Sequence, residues 1–149
     1  MTPALSQTLA MIAAAAQSAT DRWWLIGSAA VVLHGGSVEA VKDVDLMMSP
    51  SDAEAFLRRT GGHVGGAQPS NRFRSKIFGV WSAPPVPIEV FGGFRLAADR
   101  QWRDVVIASR EPVTVGGSQV FVPSREELIQ LLHAFGRPKD LERTRSLQR

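Results

Sequence analysis

The sequence predicts an α+β fold, with a mixed, mainly antiparallel β-sheet flanked by α-helices. Short apolar runs bounded by Gly, Pro and Ser alternate with helical stretches. Chain reversals at Ala83-Pro84-Pro85 and Gly116-Gly117 join pairs of such runs into antiparallel neighbours. Helix-start signals stand at Thr2-Pro3, at Ser49-Pro50-Ser51-Asp52 and at Pro123-Ser124. A chain of 149 residues without an internal repeat is expected to form a single domain over 1–149, large enough for a hydrophobic core.

The composition narrows the function classes. The absence of cysteine excludes a disulfide framework and a Cys-ligated zinc. Residues 4–19 are Ala-rich but lack a basic flank and are interrupted by Gln7, Thr8, Gln17 and Ser18. They read neither as a signal peptide nor as a membrane span, so the expectation is a cytoplasmic protein with no membrane contact.

Thr2 is the expected N-cap and Pro3 the first residue of a helix over 4–19, with Leu5, Leu9, Ile12 and Ala16 as its packing face. A buried strand follows over Trp23–Ile26 and breaks at Gly27-Ser28 into a short helix ending at His34-Gly35-Gly36. Residues 42–48 form the next strand, and 52–59 a helix with Ala53, Phe56 and Leu57 on one side. The four glycines and one proline of 60–71 predict a loop, and the missing Gly-Lys-Ser/Thr ending argues against a P-loop. Residues 72–81 read as one strand, antiparallel to a second over 86–91. Residues 94–102 carry no pattern that assigns them. Strands are expected at 105–107, 112–115 and 118–122, the last two joined by Gly116-Gly117. Ser124 and Glu127 have the spacing of a capping box ahead of the apolar stripe Leu128, Leu131, Leu132 and Phe135, and a last helix covers 139–147.

Asp43 and Asp45 are the first chemical signal. Two residues apart on a strand, they point to one face while Val44 and Leu46 point to the other. Side by side they repel and lose hydration, a cost that a hard, oxygen-seeking cation such as Mg²⁺ would offset. Glu89 is the second signal, a lone acid inside the apolar run Val86–Phe91. A salt bridge to Arg72 or Arg74 would explain it equally well. His34, His63 and His133 are scattered and fit capping, loop or packing roles. Lys139-Asp140 reads as a structural pair at a helix start, and Trp81 and Trp102 as packing residues that could also stack on a base.

Taken together, Ile26-Gly27-Ser28, then Asp43-Val44-Asp45-Leu46, then Ile88-Glu89-Val90, preceded by a helix, resemble the nucleotidyltransferase superfamily, whose fold is shared with DNA polymerase beta. The likeness is greatest to small bacterial members of abortive-infection, toxin–antitoxin or antibiotic-modifying type, and it extends through the tail segment 122–141. The resemblance implies transfer of a nucleoside monophosphate from an NTP to an acceptor hydroxyl, with release of pyrophosphate. It implies that Asp43, Asp45 and Glu89 hold two Mg²⁺ ions, or Mn²⁺ in their place, and that Glu89 helps to activate the acceptor. Gly27 and Ser28 would face the triphosphate, and Arg72, Arg74 and Lys76 are candidate triphosphate or acceptor contacts. The chain departs from the family pattern in three places: Glu39-Ala40-Val41 where small members often carry Arg-x-Thr, Glu89 where Asp is commoner, and His133 where some carry Lys.

Charge leaves two rivals open. The net charge is only +3, but no acid lies between Glu54 and Glu89, where Arg58, Arg59, Arg72, Arg74 and Lys76 fall. Arg137, Lys139, Arg143, Arg145 and Arg149 follow in the tail. Such clusters suit phosphate, so RNA, for instance a tRNA 3′ end, is a candidate partner. The other rival is a catalytically silent binding protein or toxin–antitoxin subunit, completed by a protein partner or a second copy of the chain.

Overall fold

The computed structural model describes residues 1–65 and 70–149. Its elements run α1 (Pro3–Ala15), β1 (Trp24–Ile26), α2 (Gly27–Leu33), β2 (Val44–Met48), α3 (Pro50–Thr60), β3 (His63–Val64), β4 (Phe73–Arg74) and β5 (Ile77–Trp81). They continue β6 (Ile88–Gly92), β7 (Arg95–Ala98), β8 (Gln101–Asp104), β9 (Glu111–Val115), β10 (Ser118–Val122), α4 (Arg125–Phe135) and α5 (Pro138–Leu147). The architecture is α+β, and its sheets are mixed and mainly antiparallel as the sequence predicts.

The main sheet has the order β1-β2-β6-β5-β3. Only β2 and β6 run parallel; the other pairs are antiparallel. β4, β7 and β8 form a three-stranded satellite sheet, and β9 and β10 a hairpin. The helices supply the cover. In α1, Leu5, Leu9 and Ile12 are buried, and Ala16 with them. In α3, Ala53, Phe56 and Leu57 are fully buried, and Phe56 meets Trp81 of β5 edge-on. Burying such side chains stabilises by about 1.5–3 kcal/mol each, which is why a short, polar-faced helix holds its place.

Several expectations are corrected. The first helix ends at Ala15 rather than Ala19. Its carbonyl end is closed by the guanidinium of Arg59, which donates to Ala15 O. The run 72–81 is two strands, because the chain changes sheets at Ser75-Lys76: Phe73 pairs with Leu96 in the satellite sheet, Ile77 with Gly92 in the main one. Residues 105–107 form no strand; Val105 N–H donates to Phe94 O, and Val106 is exposed. The unassigned stretch after Phe94 is the β7–β8 hairpin, turned by Asp99 and Arg100, both with positive φ. That turn type usually announces itself with Asn-Gly or Asp-Gly, and Asp-Arg carries a weaker signal. Within the expected loop 60–71 lies the short strand β3; the rest of that expectation, over 66–69, falls outside the described residues.

The capping box is half made. Ser124 accepts from Glu127 N–H as expected. The Glu127 carboxylate does not return to the cap but accepts from Ala108 N–H, Ser109 N–H and the Ser109 hydroxyl. A separate loop has therefore claimed a side chain that local spacing assigned to its own helix. Asp140 is likewise paired with Arg137 rather than Lys139.

Candidate active site

Strand register builds the site. β1 lies antiparallel to β2 with Ile26 opposite Asp45, and β2 lies parallel to β6 with Asp45 opposite Glu89. Asp45 and Glu89 thus lie on adjacent strands beside Gly27, the first residue of α2, at the level where β1 hands over to that helix. Asp43 sits one residue before β2 and shares the Asp45 side of the chain. One carboxylate oxygen from each of Asp43, Asp45 and Glu89 lies within 4.8 Å of the others.

This grouping is electrostatically costly. Burial, followed by the charges of Asp43 and Glu89, pushes the Asp45 carboxyl well above the ordinary carboxylate range. Glu89 is raised as well, by burial first and the Asp43 charge second, with Asp45 and the more distant Lys139 pulling the other way. Asp45 Oδ1 is buried and has no hydrogen-bond partner. An unpartnered buried carboxylate oxygen costs about 1–3 kcal/mol or more. Three oxygen donors around such an atom suit a hard divalent cation, and the residues present fit one.

Gly27 makes the close approach possible. It adopts φ +67°, in the left-handed region, and a Cβ there would collide with the Asp45 carboxylate. Ser28 follows at the head of α2, nearly buried, and its side lines a cavity of about 550 Å³. Asp43, Lys42, Glu39, Lys139 and Arg143 contribute to the walls of the same cavity.

The structure therefore brings together Gly27, Ser28, Asp43, Asp45 and Glu89. It does not bring Arg72, Arg74 or Lys76 to the cavity wall. Arg72 donates to Phe135 O at 2.7 Å, and Arg74 lies 4.1 Å over the Trp102 ring in the satellite sheet. The Lys76 side chain packs beside Gly93, at the end of β6 remote from Glu89. The cavity's cations come instead from Lys42 and from the tail helix. Sequence spacing offered one clue to them: Lys139, Glu142 and Arg143 lie three and four residues apart, on one helical face. A second cleft of about 590 Å³, between α1 and the β9–β10 hairpin, holds Arg22, Trp23 and Arg110 and no member of the acid cluster.

No family model matches the sequence, and no curated protein matches it either. Solved structures do. A candidate nucleotidyltransferase from Thermotoga maritima superposes with a TM-score of 0.78 at 22% identity, covering 97% of this chain and 92% of that one. The antibiotic-resistance enzyme ANT(2″)-Ia in complex with adenylyl-2″-tobramycin gives 0.59 at 17% identity, over 98% of this chain and 88% of its own. The lincosamide antibiotic adenylyltransferase LnuA, with lincomycin bound, gives 0.53 at 13% identity, over 85% of each chain. At these identities the likeness speaks for the backbone alone. Joined to the strand order and the acid-bearing register, it establishes that this chain has the nucleotidyltransferase fold.

Proposed function

We propose that the protein transfers a nucleoside monophosphate from an NTP to an acceptor hydroxyl. The observation that carries this reading is the cluster of Asp43, Asp45 and Glu89, with its unpartnered Asp45 oxygen, beside a cavity lined by Ser28. In the reaction the hydroxyl oxygen forms a bond to the α-phosphorus, the bond from that phosphorus to the bridging oxygen breaks, and pyrophosphate leaves. Asp43, Asp45 and Glu89 would hold divalent cations, which supply Lewis-acid stabilisation to the attacking and leaving oxygens.

The chain's own residues do the rest. Gly27 leaves room for the Asp45 carboxylate against the turn, and the Ser28 hydroxyl would donate to phosphate. Glu89 would receive the acceptor's proton as the hydroxyl attacks. The fold neighbours that carry tobramycin and lincomycin products or substrates make small-molecule hydroxyls the first acceptors to screen.

The test uses thermal unfolding with ATP, GTP, CTP and UTP, each with and without Mg²⁺, followed by transfer of an α-labelled NTP to antibiotics, metabolites, proteins and RNA. Binding to the native state raises apparent stability by mass action. A Mg²⁺-dependent shift, lost in Asp43→Ala/Asp45→Ala and accompanied by label transfer, is the expected result. The same shift in that double variant would remove the assignment. Nucleotide binding without turnover on any acceptor would move the protein to a silent, partner-dependent role.

A further inference from the structure

We infer that the polyphosphate of the nucleotide is held by the tail helix, through Lys139 and Arg143, and that the buried carboxylate of Asp140 positions this pair. The inference rests on the proposed function for the nucleotide's identity, but not for the anion site itself.

The placement of charge in α5 is the starting point. Arg137 is its N-cap and Lys139 stands in its first turn, where the helix dipole disfavours cations. The Asp140 carboxylate answers the charge of Arg137, but helix formation gives no reason for Lys139. Lys139 and Arg143, four residues apart, share a face, and both line the cavity that Ser28, Lys42, Asp43, Glu39 and Glu142 also line. Among the described residues no carboxylate lies within 4.0 Å of the Lys139 ammonium group, so its charge is available. An anion in this cavity would therefore meet the Lys139 ammonium and the Arg143 guanidinium beside Asp43.

Asp140 explains how the pair is held. Its carboxylate is fully buried, accepts from Arg137 Nε at 2.6 Å and from a second guanidinium nitrogen at 3.0 Å, and takes the Arg137 N–H at 3.2 Å. Arg143 stands 4.0 Å from the carboxylate oxygen that accepts the second Arg137 nitrogen, too far for a hydrogen bond. Thus Asp140 fixes the first turn of α5 through Arg137, and its charge draws the Arg143 guanidinium toward it while leaving the donors of Arg143 to a ligand. A side chain oriented in this way by a neighbouring charge loses less freedom when it meets phosphate, which favours binding. Asp140 touches no ligand in this scheme; it acts through its neighbours.

The test compares Lys139→Gln, Arg143→Gln, Arg143→Lys and Asp140→Asn with the wild type in calorimetric binding of Mg·ATP, AMP and inorganic tripolyphosphate. Lys139→Gln and Arg143→Gln are each expected to weaken Mg·ATP and tripolyphosphate by about tenfold or more, leaving AMP within about twofold. Arg143→Lys should recover part of the loss. Asp140→Asn should weaken the same two ligands, and its effect should not add to that of Arg143→Gln, since both act through one guanidinium. If Asp140→Asn does not fold, the Lys139 and Arg143 variants still decide the matter. Equal losses for AMP and ATP, or no loss for either, would overturn the inference. Tripolyphosphate binding without Mg·ATP binding would uphold the anion site and remove the nucleotide reading. Uptake of neither ligand by the wild type would overturn both.

Discussion

Two sets of acids occupy this small protein, and they are treated in opposite ways. Asp52, Glu127 and Asp140 are provided with donors. Asp52 accepts from Thr20 N–H, the Thr20 hydroxyl and Asp21 N–H at 2.8–3.1 Å, tying the connection between α1 and β1 to the start of α3. Glu127 ties the loop at Ala108 and Ser109 to α4, and Asp140 ties the chain entering α5. Asp43, Asp45 and Glu89 are given one another instead, with Asp45 Oδ1 left bare. The first set secures two loops and a helix start; the second adds repulsion to the centre of the sheet. Folding alone accounts for the first arrangement and not for the second, and that contrast is what supports the acid cluster as the proposed site.

The largest effect expected from this contrast concerns activity. Asp45→Asn should reduce nucleotide transfer by at least about 10²–10³-fold, measured as pyrophosphate release. The same substitution should raise the thermal midpoint of the metal-free protein near neutral pH, by the equivalent of about 0.5–2 kcal/mol. A drop in stability would mean that Asp45 belongs with the structural acids after all.

Next in size is the loss of a structural acid. Asp52→Ala leaves Thr20 N–H and Asp21 N–H without their acceptor and should cost about 2–3 kcal/mol in urea unfolding. Here metal should change nothing.

The two sets also respond oppositely to pH. For Asp52 and Glu127, burial pushes upward, but the hydrogen bonds from Thr20 and Asp21, and from Ala108 and Ser109, outweigh it and hold both carboxyls below their ordinary range. Their stabilisation is therefore complete above the ordinary carboxylate pKa of about 4 and is lost as pH falls through the lowered values. Asp45 and Glu89 are raised, so the native protein holds their protons more tightly than the unfolded chain. Their contribution is most favourable below the ordinary value and declines as pH rises through the raised ones. Metal-free denaturation curves from pH 3 to pH 8 should thus show the Asp45→Asn advantage growing with pH and vanishing in acid.

Smallest, and sharpest for the geometry, is Gly27→Ala. Strain at φ +67° with a collision against Asp45 should cost about 1–2 kcal/mol in the folded protein. Because the carboxylate must shift to make room, nucleotide affinity should fall in the same variant. Asp45→Ala in the Gly27→Ala background should restore part of the stability.

Much of this was legible in the sequence. The apolar–Gly27-Ser28 break, the alternation around Asp43 and Asp45, and the lone Glu89 in an apolar strand each have a local cause, and local causes can be read along the chain. The helix packing faces were readable for the same reason, with Phe56 and Leu132 falling inside as their spacing requires. What escaped depends on partners far away in sequence. The alternation of Arg72, Arg74 and Lys76 runs evenly across Ser75, so nothing in it betrays the change of sheet. Glu127 had the right spacing for its own cap, but Ser109 reached it first. The basic clusters looked alike on the page, yet one stacks on Trp102 or a backbone carbonyl while Lys139 and Arg143 reach the cavity. Which cluster faces a cavity is set by where α5 docks, and that has no local signature.

The central claim is that Asp43, Asp45 and Glu89 are held together to take up a divalent cation. Titration of Mn²⁺ into the wild type and into Asp45→Asn, followed by the free-ion electron paramagnetic resonance signal, tests it directly. The wild type is expected to deplete the free signal, Mg²⁺ to restore it by competition, and Asp45→Asn to leave it unchanged. Equal depletion by both proteins would contradict the account.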